Sequence, residues 1–521
     1  MTDPRPGVTH GCGASSLCPT GVVAIKYGHR SSRPENPVRI RPAGPEFVLG
    51  WVAVATEPDL FTALRALRAA VGSPTVADLF RRIQILGIQL GRNTLYDLYN
   101  RMDSPADTRV PVWSTVEAFV GACLDLADRT GQPINPQWRD QDWWDDLYRR
   151  CYNSAPAPVD GWSHAVEKAR RDRPTDLLTI TAMNADAVHL VDRIQRDHEV
   201  VSRWSQYAPG GSGANTAVAL SRIGGRAAVA GIVADDSAGR NLVAQLVADE
   251  VDVDCVLSVP HSRLPTGSTI VLADQSGGRM IVVSPGINSE LATRLRRQGR
   301  VDALIEAAQR CRILHLTSME GHRQRVLQQK VAATVADRTV ITLNPGAIYA
   351  SLGVAGVEPL LSLADVVFVY EQQLDLFLGH RTVQDRPVED KIRDVRARLS
   401  RLRPSVIVLK LSTGVAKTRS VAITVTEAGD RMTTHYPEGV VDVDCHRLTD
   451  TTGAGDASVA GVMLSLLNGG TPEEAVNLAH VMALAASATV GGRDGLPRRP
   501  DIGPLWEQYS SGAEPPPWLS D

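Results

Sequence analysis

The 521-residue chain has no apolar run near the roughly 18 residues that a membrane-spanning helix needs. Its N-terminus lacks a positively charged start followed by an apolar stretch, so no secretory signal is expected. Lysine is scarce, at six of 55 basic residues. Against 58 Asp and Glu the formal net charge is −3, which excludes a chain-wide basic field of the kind that coats nucleic acid. Seven cysteines (12, 18, 123, 151, 255, 311, 445) are scattered without CxxC pairs or histidines at ligand spacing. An odd number of dispersed thiols in a large chain points to a reduced, cytoplasmic protein. No Gly-Lys dipeptide occurs, and HExxH, HRD and DFG are absent, so P-loop, zincin and protein-kinase chemistry are excluded.

What is present changes along the chain. Residues 1–56 are rich in Gly, Pro, Ser and Arg without a sustained period, and read as a disordered tail. From Pro58 the spacing becomes helical. Leu60, Leu64, Leu67 and Val71 form one stripe, and Val76, Leu79, Phe80 and Ile83 another, so 57–152 is expected to be an all-α domain. Residues 153–175 read as a linker. From there to 507, short β-branched runs alternate with helical segments, the grammar of an α/β fold with a parallel sheet covered on both faces. Stretches 193–208 and 262–284 alternate polar and apolar around Gly and Pro, which suits a small antiparallel flap. Residues 508–521 read as a flexible C-terminal tail.

The most informative stretch is 450–456, Asp-Thr-Thr-Gly-Ala-Gly-Asp, followed by an apolar helical run. Gly453 and Gly455 let the backbone turn sharply and approach a ligand, and the amides of Gly453, Ala454 and Gly455 would face an anion at a helix N-terminus. Asp456 would repel that anion in the ground state, which a catalytic role explains: it accepts a hydroxyl proton as the oxygen attacks a γ-phosphate. In isolation the same residues would also suit a capped helix start, with Asp456 complementing the dipole.

This segment resembles, residue for residue, the C-terminal signature of the PfkB (ribokinase-like) carbohydrate-kinase family. Residues 210–217 (GGSGANTA), with Leu220 and 224–225 (GG), are similar to its N-terminal signature, and 231–239 (GIVADDSAG) to a following segment with Ala234 in place of one Gly. The resemblance covers about 176–507. It implies a ribokinase-like three-layer α/β sandwich with a small β lid, and ATP-dependent phosphorylation of a sugar or nucleoside hydroxyl. Asp456 then maps to the catalytic base and Gly453, Ala454 and Gly455 to the anion hole. Asn184, Asp186, Gly211 and Asn215 map to acceptor contacts, with Glu320 as a further candidate. Asn344, Lys410, Ser412, Gly414 and His480 fall near the nucleotide side. Asp450 and Thr452 match positions that bind a monovalent cation such as K⁺ in some relatives.

The chain departs from the family at its N-x-x-E motif, which organises Mg²⁺ through water: those positions fall on Tyr370 and Gln373. Glu371 or Asp375 is left to supply the carboxylate. The helical domain adds a second theme, since 75–100 has the shape of a helix-turn-helix and 57–152 resembles Xre-like regulators. Arg92, Asn93, Thr94 and Tyr96 would then face a DNA major groove. Its charge opposes this: 57–152 holds 11 Arg, no Lys and 13 acidic residues, a net of −2, whereas DNA binding draws affinity from neutralising phosphates. Two functions follow as expectations: a sugar kinase, with a homodimer as its candidate assembly, or a sugar-responsive DNA-binding regulator that keeps a weakly active kinase fold.

Overall fold

The computed structural model describes residues 60–520 except 89, 91, 103–112, 153–159, 196–197, 275–278, 379–405, 411–420, 427–431, 438–452, 490–491 and 511–513. The tail reading for 1–56 lies outside these residues, as do Ser412, Gly414, Asp450 and Thr452. Glu371 lies on a described helix, but its side chain is also outside them.

Five helices open the described chain: α1 (Leu60–Ala70), α2 (Val76–Ile85), α3 (Arg92–Met102), α4 (Trp113–Thr130) and α5 (Gln141–Tyr152). Apolar residues three and four apart give each a buried stripe. Leu60, Leu64, Leu67, Leu79, Ile83, Phe119 and Trp144 meet in one core. A capping box starts α2, with Thr75 Oγ1 accepting from the Asp78 amide and the Asp78 carboxylate accepting from Thr75 N, both at 3.2 Å. Arg82 on α2 pairs with Asp125 on α4.

Among the described residues there are thirteen strands, β1 (Thr175–Ile180), β2 (Asn184–Val191), β3 (Ser202–Gly210), β4 (Ala227–Ala234), β5 (Val256–Val259), β6 (Gly267–Asp274), β7 (Arg279–Ser284), β8 (Cys311–Thr317), β9 (Val340–Asn344), β10 (Val366–Tyr370), β11 (Val406–Lys410), β12 (Val421–Thr426) and β13 (Met432–His435). Nine form the main sheet in the order β13-β12-β11-β10-β9-β8-β1-β4-β5. Successive side chains point to opposite faces. Leu177, Val229, Ile313, Val366 and Val408 therefore enter one core, and Leu178, Ala230, Leu314, Val367 and Leu409 the other. The first core is closed by α6 (Gly161–Ala169), α7 (Ser212–Arg222), α8 (Ser237–Ala248) and the helices Ala454–Asn468 and Pro472–Ser487. The second is closed by helices that include His322–Val335 and Gly353–Leu361. This is a three-layer α/β sandwich.

The remaining four strands form a separate sheet, β3-β2-β6-β7. It holds the flap segments and also β2, which the sequence does not announce as a strand. Pairing is antiparallel for β2 with β3 and β6 with β7, and parallel for β2 with β6. The main sheet is mixed rather than wholly parallel, because β12 and β13 run antiparallel at one edge. A hairpin edge needs no crossover helix, so helix-strand alternation does not announce it.

Two boundaries also change. Within the stretch read as a linker, α6 is a capped helix whose Trp162, Ala165 and Ala169 lie in the sandwich core. Trp162 Nε1 donates to the Gly470 carbonyl at 2.8 Å, and Lys168 forms a buried pair with Asp365. The C-terminal segment read as a flexible tail packs back on the sandwich. Leu519 is buried in its core, and Trp518 Nε1 donates to Glu474 at 3.3 Å.

Candidate active site

β9, β10 and β11 end side by side, with Tyr370 in register with Lys410, and Thr317 of β8 in register with Asn344. Ligands of open α/β sheets bind outside such carboxyl ends. The helix Ala454–Asn468 starts here. Gly453 caps it with φ +83°, and the first intrahelical bond runs from Ala457 N to the Gly453 carbonyl at 2.8 Å. The amides of Ala454, Gly455 and Asp456 precede that bond, so the helix itself does not use them and its dipole favours an anion before them. A side chain at Gly453 would meet backbone, and one at Gly455 would displace the Tyr370 ring. A Cβ on Gly453 would stand 2.2 Å from the Gly492 carbonyl oxygen, and one on Gly455 1.6 Å from the Tyr370 hydroxyl.

Asp456 is buried in the first turn. Ser212 Oγ donates to its Oδ1 at 2.6 Å and Asn215 Nδ2 to its Oδ2 at 3.1 Å, both from α7. Burial pushes its pKa up, while the Ser212 hydrogen bond, the Lys410 charge, the Asn215 amide and the Arg493 charge push it down, with burial prevailing. A carboxylate desolvated yet supplied with donors is basic enough to take a proton from a hydroxyl.

On one side stand the groups read as acceptor contacts. Asn184 and Asp186 lie on β2 and are buried. Asn288 braces Asn184, donating from Nδ2 to Asn184 Oδ1 and to the Met183 carbonyl, both at 3.0 Å, while its Oδ1 accepts from Met183 N at 3.0 Å. Burial raises the Asp186 pKa to about 7, opposed by a Thr269 hydrogen bond and the Arg493 charge. Its Oδ1 is buried with no hydrogen-bond partner among the described residues. Gly211 takes φ +100° at the start of α7, where a Cβ would stand 2.3 Å from the Ala182 carbonyl oxygen. Asn215 belongs as much to the base as to this side, since both ends of its amide are engaged: Nδ2 on Asp456 and Oδ1 accepting from Arg493 Nε at 2.9 Å. Glu320, beyond β8, is exposed and shares no hydrogen bond with this group among the described residues.

Across Asp456, Asn344 Nδ2 donates to Ser212 Oγ at 3.2 Å, which ties it to the base. The buried Lys410 ammonium stands 3.9 Å above the centre of the Tyr370 ring. Burial lowers the Lys410 pKa to about 8, opposed by Asp456, and Nζ has no hydrogen-bond partner among the described residues. A buried ammonium in this state suits an incoming polyphosphate, as do the three first-turn amides. Gln373 Oε1 accepts from Tyr370 N at 3.2 Å, so the position expected to carry the metal-organising carboxylate holds an amide that caps the strand end. The described residues at 370 and 373 thus do not fit a Mg²⁺-organising role. His480 is buried in Pro472–Ser487, and burial lowers its pKa to about 4, which leaves it neutral at pH 7.

Sequence reasoning missed Ser212, Asn288 and Arg493. Ser212 lies inside the GGSGAN run, and its place within that motif was the available signal. Asn288 ends the Gly286-Ile287-Asn288 run, which follows in the family's order, whereas Arg493 reaches the site only through a contact 278 residues long in sequence.

A family model described as pfkB family carbohydrate kinase matches residues 174–499. An uncharacterised sugar kinase of Archaeoglobus fulgidus is 27% identical over 287 residues, covering 54% of this chain and 99% of that protein. A ribokinase of Haemophilus influenzae is 25% identical over 325 residues, 62% of this chain and 95% of that one. Among solved structures, ribokinase from Giardia lamblia superposes with a TM-score of 0.53 at 20% identity, over 63% of this chain and 99% of its own. That likeness speaks to the fold.

Proposed function

Since this chain belongs to the pfkB family of carbohydrate kinases, phosphotransferases with an alcohol group as acceptor, we propose that it phosphorylates a hydroxyl of a non-phosphorylated sugar or a nucleoside from ATP, with Asp456 as the base. Kinases of this family use ATP and typically Mg²⁺. The observation that carries the reading is the buried Asp456 carboxylate, held by Ser212 and Asn215 in the first turn of the Gly453-capped helix.

In this mechanism the acceptor lies between the β2–β3–β6–β7 lid and the sandwich. Asn184 and Asp186 take its neighbouring hydroxyls, since an amide and a carboxylate each satisfy two groups in fixed geometry. The reacting hydroxyl hands its proton to Asp456 as its oxygen bonds to the γ-phosphorus and the bond to the leaving ADP oxygen breaks. The Ala454 and Gly455 amides stabilise charge on the transferring phosphoryl group, and Lys410 balances charge on the polyphosphate. Asn344, His480, Ser412 and Gly414 belong to the nucleotide side in this reading, and Asp450 and Thr452 to a monovalent-cation site. The lid closes over the acceptor and keeps water from the phosphoryl group.

The test is a coupled ADP-release screen over ribose, fructose, ketodeoxygluconate and nucleosides. Asp456→Asn should lower kcat by about 10³-fold while acceptor and ATP still bind. Wild-type-like turnover in that variant would sink the mechanism.

A homodimer through the lid is part of the proposal, supported by Ile270, Met280, Ile281, Val282 and Val283, each more than 40% exposed on β6 and β7. Sedimentation of the wild type against Ile281→Lys tests it. A cytoplasmic location is supported by the dispersed cysteines, and among the described residues no helix is long and apolar enough to cross a membrane.

The second reading, a sugar-responsive regulator, is favoured by α2 and α3 around the Gly87 turn, with Tyr96 58% exposed on α3. Against it, Arg82 on α2, a basic side chain next to the turn, pairs with Asp125 within the bundle. A gel shift on the upstream DNA of its own gene, with and without sugar at fixed salt, decides between them.

A further inference from the structure

We infer that Arg493 is a positioning residue for phosphoryl transfer, which acts through the Asn215 amide to aim the Asp456 carboxylate and hold it in its proton-accepting form. The inference deepens the reading of Asp456 as base and rests on it.

Asn215 can present either end of its amide to Asp456, and only the NH₂ end stabilises a carboxylate. Arg493 Nε is a donor and nothing else, and it occupies Asn215 Oδ1 at 2.9 Å. The NH₂ end must then face Asp456, where it lies 3.1 Å from Oδ2. Without Arg493 the amide is free to turn over and set its oxygen against the carboxylate.

Arg493 is itself fixed. It is 2% exposed, and its carbonyl accepts from Arg222 Nη1 at 2.6 Å, while Arg222 is held by Asp249. Asn215 and Arg222 are seven residues apart on α7, two turns along one face. One helix face therefore grips Arg493 at both its backbone and its side chain. The charged groups that act on Asp456 are Lys410 from β11, Arg493 from the loop after Pro472–Ser487, and Asp186 from β2. Ser212 and Asn215 contribute neutral donors, and the Tyr370 hydroxyl flanks Gly455. Arg493 is the cation that acts on both Asp186 and Asp456. Burial lowers its pKa to about 10, so it remains charged at neutral pH.

The experiment is a ¹³C NMR titration of the Asp456 carboxyl in full-length wild type and Arg493→Met, with kcat measured against pH on the acceptor found in the screen. Removing the guanidinium should raise both the Asp456 midpoint and the acid limb of kcat by about one pH unit, a tenfold loss of ionised base below the midpoint. The acceptor KM should stay about the same. Asn215→Ala should shift the midpoint in the same direction, and the double variant by clearly less than the two single shifts summed, because the hydrogen-bonded path through Asn215 is counted in both. An unmoved midpoint in folded Arg493→Met, or additive shifts in the double variant, overturns the inference. If Arg493→Met does not fold, Arg493→Lys, which keeps the charge and loses the aimed Nε donor, should give part of the shift, and no shift there is equally fatal. If the wild type phosphorylates no acceptor, the kinase reading fails on its own, and the NMR midpoints still decide whether Arg493 governs Asp456.

Discussion

On the side of Asp456 read as the acceptor side most polar groups brace one another: Asn288 answers Met183 and Asn184, and Arg493 answers Asn215, with Asp186 Oδ1 the atom left open among the described residues. On the opposite side Lys410 has the face of Tyr370 beneath its ammonium, and Asn344 Oδ1 is buried with no partner among the described residues. The first arrangement fixes shape before a ligand arrives, which suits discrimination among sugars by hydroxyl geometry. The second stores unsatisfied charge and polarity, which suits an anion that brings its own oxygens. Asp456 is the shared wall, with Ser212 joining it to Asn344 and Asn215 joining it to Arg493.

The change that should break both sides together is Gly455→Ala. Its Cβ would stand 1.6 Å from the Tyr370 hydroxyl, so the first turn or the ring must move. Since a shift near 1 Å can cost about a hundredfold, kcat should fall at least that much, and Tyr370→Ala in the same chain should restore part of it. Lys410→Met should separate the sides, raising the KM for ATP roughly tenfold and leaving the acceptor KM alone. An equal rise in both would show that Lys410 serves the whole site. Asn288→Ala is the mirror experiment. It leaves Met183 N and the Asn184 amide without their partner, so the acceptor KM should rise severalfold at constant ATP KM, with a loss of about 1–3 kcal/mol in unfolding free energy.

The smallest effect concerns pH. Asp186 has its pKa raised in the fold from 3.8 to about 7, so the folded state binds its proton more tightly than the unfolded state. Its ionisation therefore weakens the fold as pH rises through that window, and the deficit is complete above it. Asp186→Asn should accordingly raise the melting temperature at pH 8 and leave it nearly unchanged at pH 4. A gain of equal size at both pH values would show that charge is not the cause.

Much of this was legible in the sequence because it is local. The 450–456 motif, the GGSGAN run and the apolar stripes of α1 and α2 each occupy a few consecutive residues, and their spacing carries their geometry. The Lys410–Tyr370 contact was half legible. Both positions drew notice, one as a candidate and one as a departure, but strand register alone puts them together. Arg493 left no signal: it is a single arginine among 49, and its partner lies 278 residues away. β2 was hidden because Asn184 and Asp186 look like turn residues, while their place in a strand comes from pairing with β3 and β6. The β12–β13 hairpin escaped for the same reason, since antiparallel pairing at a sheet edge is a tertiary fact.

Helix α6 sets where a truncation of this chain would begin to damage the sandwich. It precedes the region matched by the family model at residue 174, yet Trp162 and Lys168 reach into the sandwich, and Lys168 balances Asp365. A gene fusion or a protease cut that started the chain at 174 would strand Asp365 as a buried carboxylate without its cation, at a cost of about 3–5 kcal/mol. In this chain the packed sandwich therefore extends back to Asp160, the residue that caps α6.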